Sequence, residues 1–162
     1  MKILGIDPGT RRCGYGVIQY SSKGPIYLSS GVIKAGPSTE AMHLRLMTIY
    51  SSLNSIVDQH QPTHMALEKV FFHKNARSSF ALGQVRGIAL LLAAHCELSV
   101  FEYNSTEVKQ AVTGFGRAEK RQVMEMVKRI INMDKKITED EADALGLCIC
   151  HMNMFPFKEL NP

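Results

Sequence analysis

The sequence predicts an α/β fold: a mixed five-stranded sheet, three antiparallel strands followed by parallel ones, with helices on both faces. Three observations predict it. The first 35 residues hold three β-prone runs separated by turn residues. Two later apolar runs, Met65 to Leu67 and Leu98 to Tyr103, each follow a segment with helical periodicity. Strands joined by tight turns pair antiparallel, whereas strands joined through a helix pair parallel.

Each element has its own warrant. The opening run Ile3-Leu4-Gly5-Ile6 stops on Asp7 and the turn Pro8-Gly9-Thr10. Gly14 to Tyr20 forms the second strand, Ser21 to Gly24 a turn, and Pro25 to Ala35 the third strand. Pro37-Ser38-Thr39 supplies a stop and an N-cap, after which Met42, Leu46, Ile49, Leu53 and Ile56 recur at spacings of four and three. That stripe marks an amphipathic helix lying on the sheet. Past Pro62 the fourth strand ends on Glu68, and the pattern of a strand closing on an acid repeats. An apolar helix follows from about Ser79 to Cys96, then the fifth strand. Helices are predicted over about 105–112, 118–131 and 138–152, the last with Ala142, Leu145, Ile149 and Met152 on one face.

The chain has 162 residues, with 45% hydrophobic and 21% charged, which suits one globular domain over 1–162 with a core that needs no disulfide or metal staple. No repeat or linker divides it. Neither a signal peptide nor an apolar run of membrane-spanning length is present, so a cytoplasmic protein is expected. Cys13, Cys96, Cys148 and Cys150 are expected as reduced thiols. Cys148 and Cys150 are two apart, and on a helix such positions cannot converge on one zinc ion.

Net charge is +4, and its distribution tells more than its size. Between Glu68 and Glu97 no acid occurs, while Lys69, Lys74, Arg77 and Arg86 do. A second basic stretch holds Lys109, Arg117, Lys120, Arg121, Lys128 and Arg129. Such stretches favour a polyanionic partner.

The acids give the chemistry. Parallel neighbouring strands open their carboxyl ends to one edge, where ligands bind. If the first and fourth strands are neighbours, Asp7 and Glu68 meet there. Asp140 and Asp143, three residues apart on the last helix, present both carboxylates on one helical face. Four gathered carboxylates repel one another unless a cation sits among them, and oxygen donors suit Mg²⁺ or Mn²⁺. Such ions serve phosphodiester hydrolysis. Taken singly, each acid also has a plainer explanation: Asp7 as a turn residue, Asp140 as a helix N-terminal charge.

The segments Gly5-Ile6-Asp7-Pro8-Gly9-Thr10 with Gly14-Tyr15-Gly16, Glu68-Lys69-Val70-Phe71, Lys74-Asn75, Gly83-Gln84-Val85-Arg86-Gly87, Val108-Lys109-Gln110, Ala118-Glu119-Lys120 and Asp140-Glu141-Ala142-Asp143-Ala144-Leu145, taken in that order, resemble the RuvC family of Holliday junction resolvases. The resemblance covers nearly the whole chain. It implies a ribonuclease-H-like fold, a homodimer, and a Mg²⁺-dependent endonuclease, with Mn²⁺ as a substitute, that nicks four-way junction DNA symmetrically. It further implies cooperation with a RuvA/RuvB-type branch-migration complex. Asp7, Glu68, Asp140 and Asp143 are then the catalytic, metal-binding acids. Lys109 and Lys120 support DNA binding and catalysis, and Phe71 stacks on a base near the junction centre. Lys74 and Arg77, in the acid-free stretch, are expected to contact DNA as well.

Other readings stay open at this point. A YqgF-type nuclease shares the Asp-Pro-Gly turn but matches the Glu68 and Asp140 segments less well. Actin-like ATPases and sugar kinases place a similar acid-Gly-Thr turn at phosphate, yet they need a longer, duplicated body, and no P-loop is present here. A catalytically silent DNA-binding module keeps the basic face without needing all four acids.

Overall fold

A computed structural model of the chain describes residues 1–69 and 76–160, with side chains described as far as residue 155. Its strands are β1 (Lys2–Asp7), β2 (Arg12–Ser21), β3 (Gly24–Lys34), β4 (His64–Glu68) and β5 (Ser99–Tyr103). Its helices are α1 (Met42–His60), α2 (Ala76–His95), α3 (Ser105–Thr113), α4 (Lys120–Ile130) and α5 (Glu139–Leu160). The sheet order is β3-β2-β1-β4-β5. β1 pairs antiparallel with β2 and parallel with β4, β2 pairs antiparallel with β3, and β4 pairs parallel with β5, as the connections required. Among the described residues no helix is long and apolar enough to cross a membrane.

Alternation along the strands sorts the side chains into two cores. On one face Leu4 and Ile6 of β1, Val17 of β2 and Met65 and Leu67 of β4 pack with Ile49 and Leu53 of α1 and Val85, Ala89 and Leu92 of α2. On the other face Ile3, Ile18, Ala66 and Tyr103 pack against Leu145, Cys148 and Ile149 of α5, which is covered in turn by Val108 and Val112 of α3 and Val123 and Val127 of α4. Helix α5 is therefore buried nearly all round from Ala142 to His151, rather than on the single face expected. It lies between the sheet and two outer helices. Near its far end Tyr103 Oη and His151 Nδ1 lie 2.7 Å apart, and His151 Nε2 lies 2.8 Å from His64 Nδ1, so buried imidazole and phenol share hydrogen bonds inside this second core.

Three glycines set the fit of α5 on the sheet. A Cβ on Gly5 would overlap the Ala144 carbonyl oxygen, one on Gly14 the Asp140 backbone, and one on Gly16 the Leu145 side chain. Gly5 faces Gly16 and Gly14 faces Asp7 across the β1–β2 ladder. Bare backbone on these adjacent strands lets the helix rest directly on the sheet.

Boundaries shift in places. β2 begins at Arg12, two residues before the expected Gly14, because Arg12 and Cys13 register against Lys34 and Ile33. α1 begins only at Met42, with Ala41 as an N-cap that makes no side-chain bond. The expected cap segment instead forms a turn in which the Glu40 N–H donates to the Pro37 carbonyl. α5 continues to Leu160, eight residues past the expected end. All four cysteines are free, and burial pushes the thiols of Cys13 and Cys148 up to about 12, which leaves both unreactive.

Candidate active site

Strand alternation delivers the first two acids. Residues 3, 5 and 7 of β1 and 64, 66 and 68 of β4 point to the α5 side, so Asp7 and Glu68 close their strands on that face. The helix delivers the other two. Thr138 caps α5 by reciprocal bonds: its N–H donates to Glu141 Oε2 at 2.9 Å, and its hydroxyl accepts from the Glu141 N–H at 3.3 Å. Glu141 also accepts from the Ser30 hydroxyl at 2.9 Å, which ties the helix start to β3. With the cap fixed and the glycines bare, the first turn of α5 brings Asp140 and Asp143 to the strand ends.

The result is a cleft of about 330 Å³ lined by Asp7, Glu68, Asp140 and Asp143 together with Lys109, Lys120, Ser105 and Leu147. All four predicted acids and both predicted active-site lysines meet in it. Arg77 does not; it is exposed in the first turn of α2. Phe71 and Lys74 lie outside the described residues. Arg86, part of the acid-free basic stretch, is paired within the chain: its guanidinium donates to Glu102 of β5 at 2.6 Å. The charge pattern along the chain could not reveal this pair, because strand β5 supplies the acid from 16 residues away.

The electrostatics of the cleft are those of a negative cluster short of cations. Burial first, then the charges of Asp143, Glu68 and Asp140, raise the Asp7 carboxyl to about 7, against an opposing pull from Lys120. Asp143 is raised mainly by burial, with Lys120 opposing. Lys120 itself is raised by its 3.2 Å hydrogen bond to Glu139 and by Asp143. Among the described residues no three His, Cys, Asp or Glu side chains are already gathered into an ion-holding cage. Asp140 instead turns to Arg12, whose Nε donates to its carboxylate at 2.7 Å. The donor set nevertheless suits a hard divalent cation: it is all oxygen, and the three neighbouring carboxylates that add to burial in raising Asp7 are the charge such a cation would offset.

Two arginines that sequence reasoning passed over shape this site. Arg12 binds Asp140, and Arg45, buried on α1, donates through Nε at 3.0 Å and through Nη2 to the Thr10 carbonyl. Arg45 thereby pins the turn that follows Asp7. Its place within the α1 stripe, one residue before Leu46, was the available signal, since a charge near an apolar face needs a partner.

The family profile described as "Crossover junction endodeoxyribonuclease RuvC" matches residues 3–151. The chain belongs to the RuvC family. A RuvC crossover junction endodeoxyribonuclease of Vibrio cholerae is 48% identical over 93% of this chain and 86% of that protein. Another from Legionella pneumophila is 42% identical over 94% of this chain and 87% of its own length. Among solved structures, Thermus thermophilus RuvC in complex with Holliday junction substrate superposes with a TM-score of 0.90 at 27% identity, covering 98% of this chain and 96% of that one. The ribonuclease-H-like architecture expected from the sequence is therefore the architecture of a RuvC-family protein.

Proposed function

We propose that this chain is a crossover junction endodeoxyribonuclease that resolves four-way DNA junctions by metal-dependent, paired nicking during recombination and repair. The observation that carries the reading is the cleft itself: four carboxylates and two lysines at one sheet edge, in a chain of the RuvC family. Asp7, Glu68, Asp140 and Asp143 would hold Mg²⁺, with Mn²⁺ as a substitute. Bound there, divalent ions supply an activated water and offset the charge developing on the leaving oxygen of phosphodiester hydrolysis. Lys109 and Lys120 border the same cleft and hold the scissile phosphate, Lys120 staying charged through Glu139 and Asp143. Phe71, Lys74 and Arg77 enter as DNA contacts from the sequence alone, and residues 1–162 act as one nuclease domain.

Symmetrical cutting of a junction with two-fold symmetry calls for two active sites on the same axis, hence a homodimer. Helix α2 supports this. Its inner face is core, while its outer face exposes Phe80 (71%) and Leu91 (61%), with Gly83 and Gly87 open between them. An apolar stripe of this length is a suitable surface for a second copy. Cooperation with a RuvA/RuvB-type branch-migration complex follows from the family reading.

The test is incubation with a synthetic four-way junction, and with linear duplex as control, first in Mg²⁺ and then in EDTA. Paired nicks on the junction alone, lost in EDTA, are expected. Equal cutting of linear duplex, or none of either substrate, overturns the proposal. Asp7→Asn is expected to abolish cleavage while sparing junction binding, because it removes charge with little change in shape.

A further inference from the structure

A second concavity lies on the β2–β3 side, joined to the acid cleft by the Arg12–Asp140 ion pair. It is an open hollow of about 700 Å³ lined by Gly9, Arg11, Arg12, Lys34, Gly36 and Pro37, with Thr10 between the first two. Arg12 and Lys34 are cross-strand partners, so both side chains project from the same face of the sheet, the face that carries Asp7 and α5. Two carboxylates border the concavity. Asp140 is held by Arg12, and Glu40 lies against Gly36. Lys34 is exposed and has no ion-pair partner among the described residues. Arg12 is 53% exposed, and its bond to Asp140 runs through Nε, so the two terminal nitrogens of the guanidinium point no hydrogen bond at any described group.

We infer that Arg12 and Lys34 form a second phosphate-binding site, which grips the DNA backbone beside the cut and couples it to Asp140 through the Arg12 guanidinium. The inference rests on the junction-nuclease reading above. Arginine presents five donors in a planar fork, so one edge can hold a carboxylate while the other takes a phosphate. The position suits a neighbouring phosphate. Lys34 lies two strands across and two residues along the ladder from Asp7, about 12 Å at the usual strand spacing and rise. That distance places the pair beside a backbone phosphate close to, but distinct from, the one in the acid cleft. The platform is firm, because Arg45 fixes the Thr10 carbonyl and the Ala35 N–H donates to the Arg11 carbonyl at 3.0 Å. Lys109 and Lys120, by contrast, reach the cleft from α3 and α4. DNA entering the cleft would thus be held from both sides of the acids.

The experiment is fluorescence anisotropy of a labelled four-way junction in EDTA, across a series of KCl concentrations, for the wild-type protein and the Arg12→Gln, Lys34→Gln and Lys34→Arg variants. Each glutamine variant is expected to bind several-fold more weakly at moderate salt. Each is also expected to lower the slope of log affinity against log salt by about 0.7–0.9, the loss of one phosphate contact. Lys34→Arg is expected to restore both. Wild-type affinity and slope in both glutamine variants, with circular dichroism unchanged, overturn the inference alone. Failure of the wild-type protein to bind the junction over linear duplex overturns it together with the reading beneath it.

Discussion

Gly14 offers a way to move two acids of the cleft without touching any of them. A Cβ built on Gly14 would lie 2.7 Å from the Asp140 carbonyl carbon and 3.1 Å from the Asp140 Cβ, and it would overlap the carbonyl oxygen. Carbon atoms pack best at about 3.5–4.0 Å, so in Gly14→Ala the start of α5 must retreat by ~1 Å. The retreat carries Asp140 and Asp143 away from Asp7, and a misplacement of ~1 Å costs catalysis about 100-fold. Overpacking of this kind also destabilises by about 1–3 kcal/mol, which lowers the unfolding midpoint of a chain this size by roughly 3–10 °C. The assay pairs thermal unfolding followed by circular dichroism with junction cleavage in Mg²⁺, the latter at a temperature where the variant is fully folded. A wild-type cleavage rate in that folded variant, whatever its melting point, would refute the argument that the bare strand sets the position of the acids.

Three further outcomes are expected. Because the folded Asp7 carboxyl is raised to about 7 from an ordinary value of 3.8, the native state holds a proton there that the unfolded chain has lost. The ion-free protein should therefore lose stability as pH rises from about 4 to 7, and melting curves in EDTA should show Asp7→Asn with a flatter pH dependence than wild type. Lys120 and Glu139 are each well exposed, so Lys120→Ala should leave urea unfolding within about 0.5 kcal/mol of wild type. The same change should slow junction cleavage by about 10–100-fold, and an undiminished rate would remove Lys120 from the site. If the proposed homodimer forms through α2, Leu91→Asp should convert it to a folded monomer by light scattering and leave single rather than paired nicks; a dimer that persists would move the interface off α2.

Much of the architecture was legible because it rests on local periodicity. Tight turns after Asp7 and Tyr20 implied antiparallel pairing and the helix before Glu68 implied parallel pairing, but that β1 and β4 are neighbours, with their terminal acids adjacent, was only a condition of the sequence reading and is supplied by the sheet order. The Asp140 and Asp143 spacing fixed their common face before any tertiary contact was considered. What escaped depends on partners distant in sequence. Arg12 and Arg45 take their roles from Asp140 and from the Thr10 carbonyl, which only strand register and helix placement bring near. Arg86 looked like part of a basic face until Glu102 of β5 was found against it. Helix α5 looked amphipathic because its apolar stripe was counted on one side, while small residues such as Ala144 and Cys148 are buried against glycines on another. The capping expected of Ser38 and Thr39 gave way to a turn closed by the Glu40 N–H on the Pro37 carbonyl, which moves the helix start to Met42.

Helix α5 carries one more implication. In many enzymes the reactive groups sit on surface loops that loosen well before the body of the protein melts. Here Asp140 and Asp143 occupy the start of a helix whose next turns are buried, Leu145, Cys148 and Ile149 completely. These acids cannot drift apart from the strands without opening the second core. Heat should consequently silence the nuclease and unfold the chain at the same temperature, so that a damaged molecule is an inert one rather than a misdirected cutter of DNA.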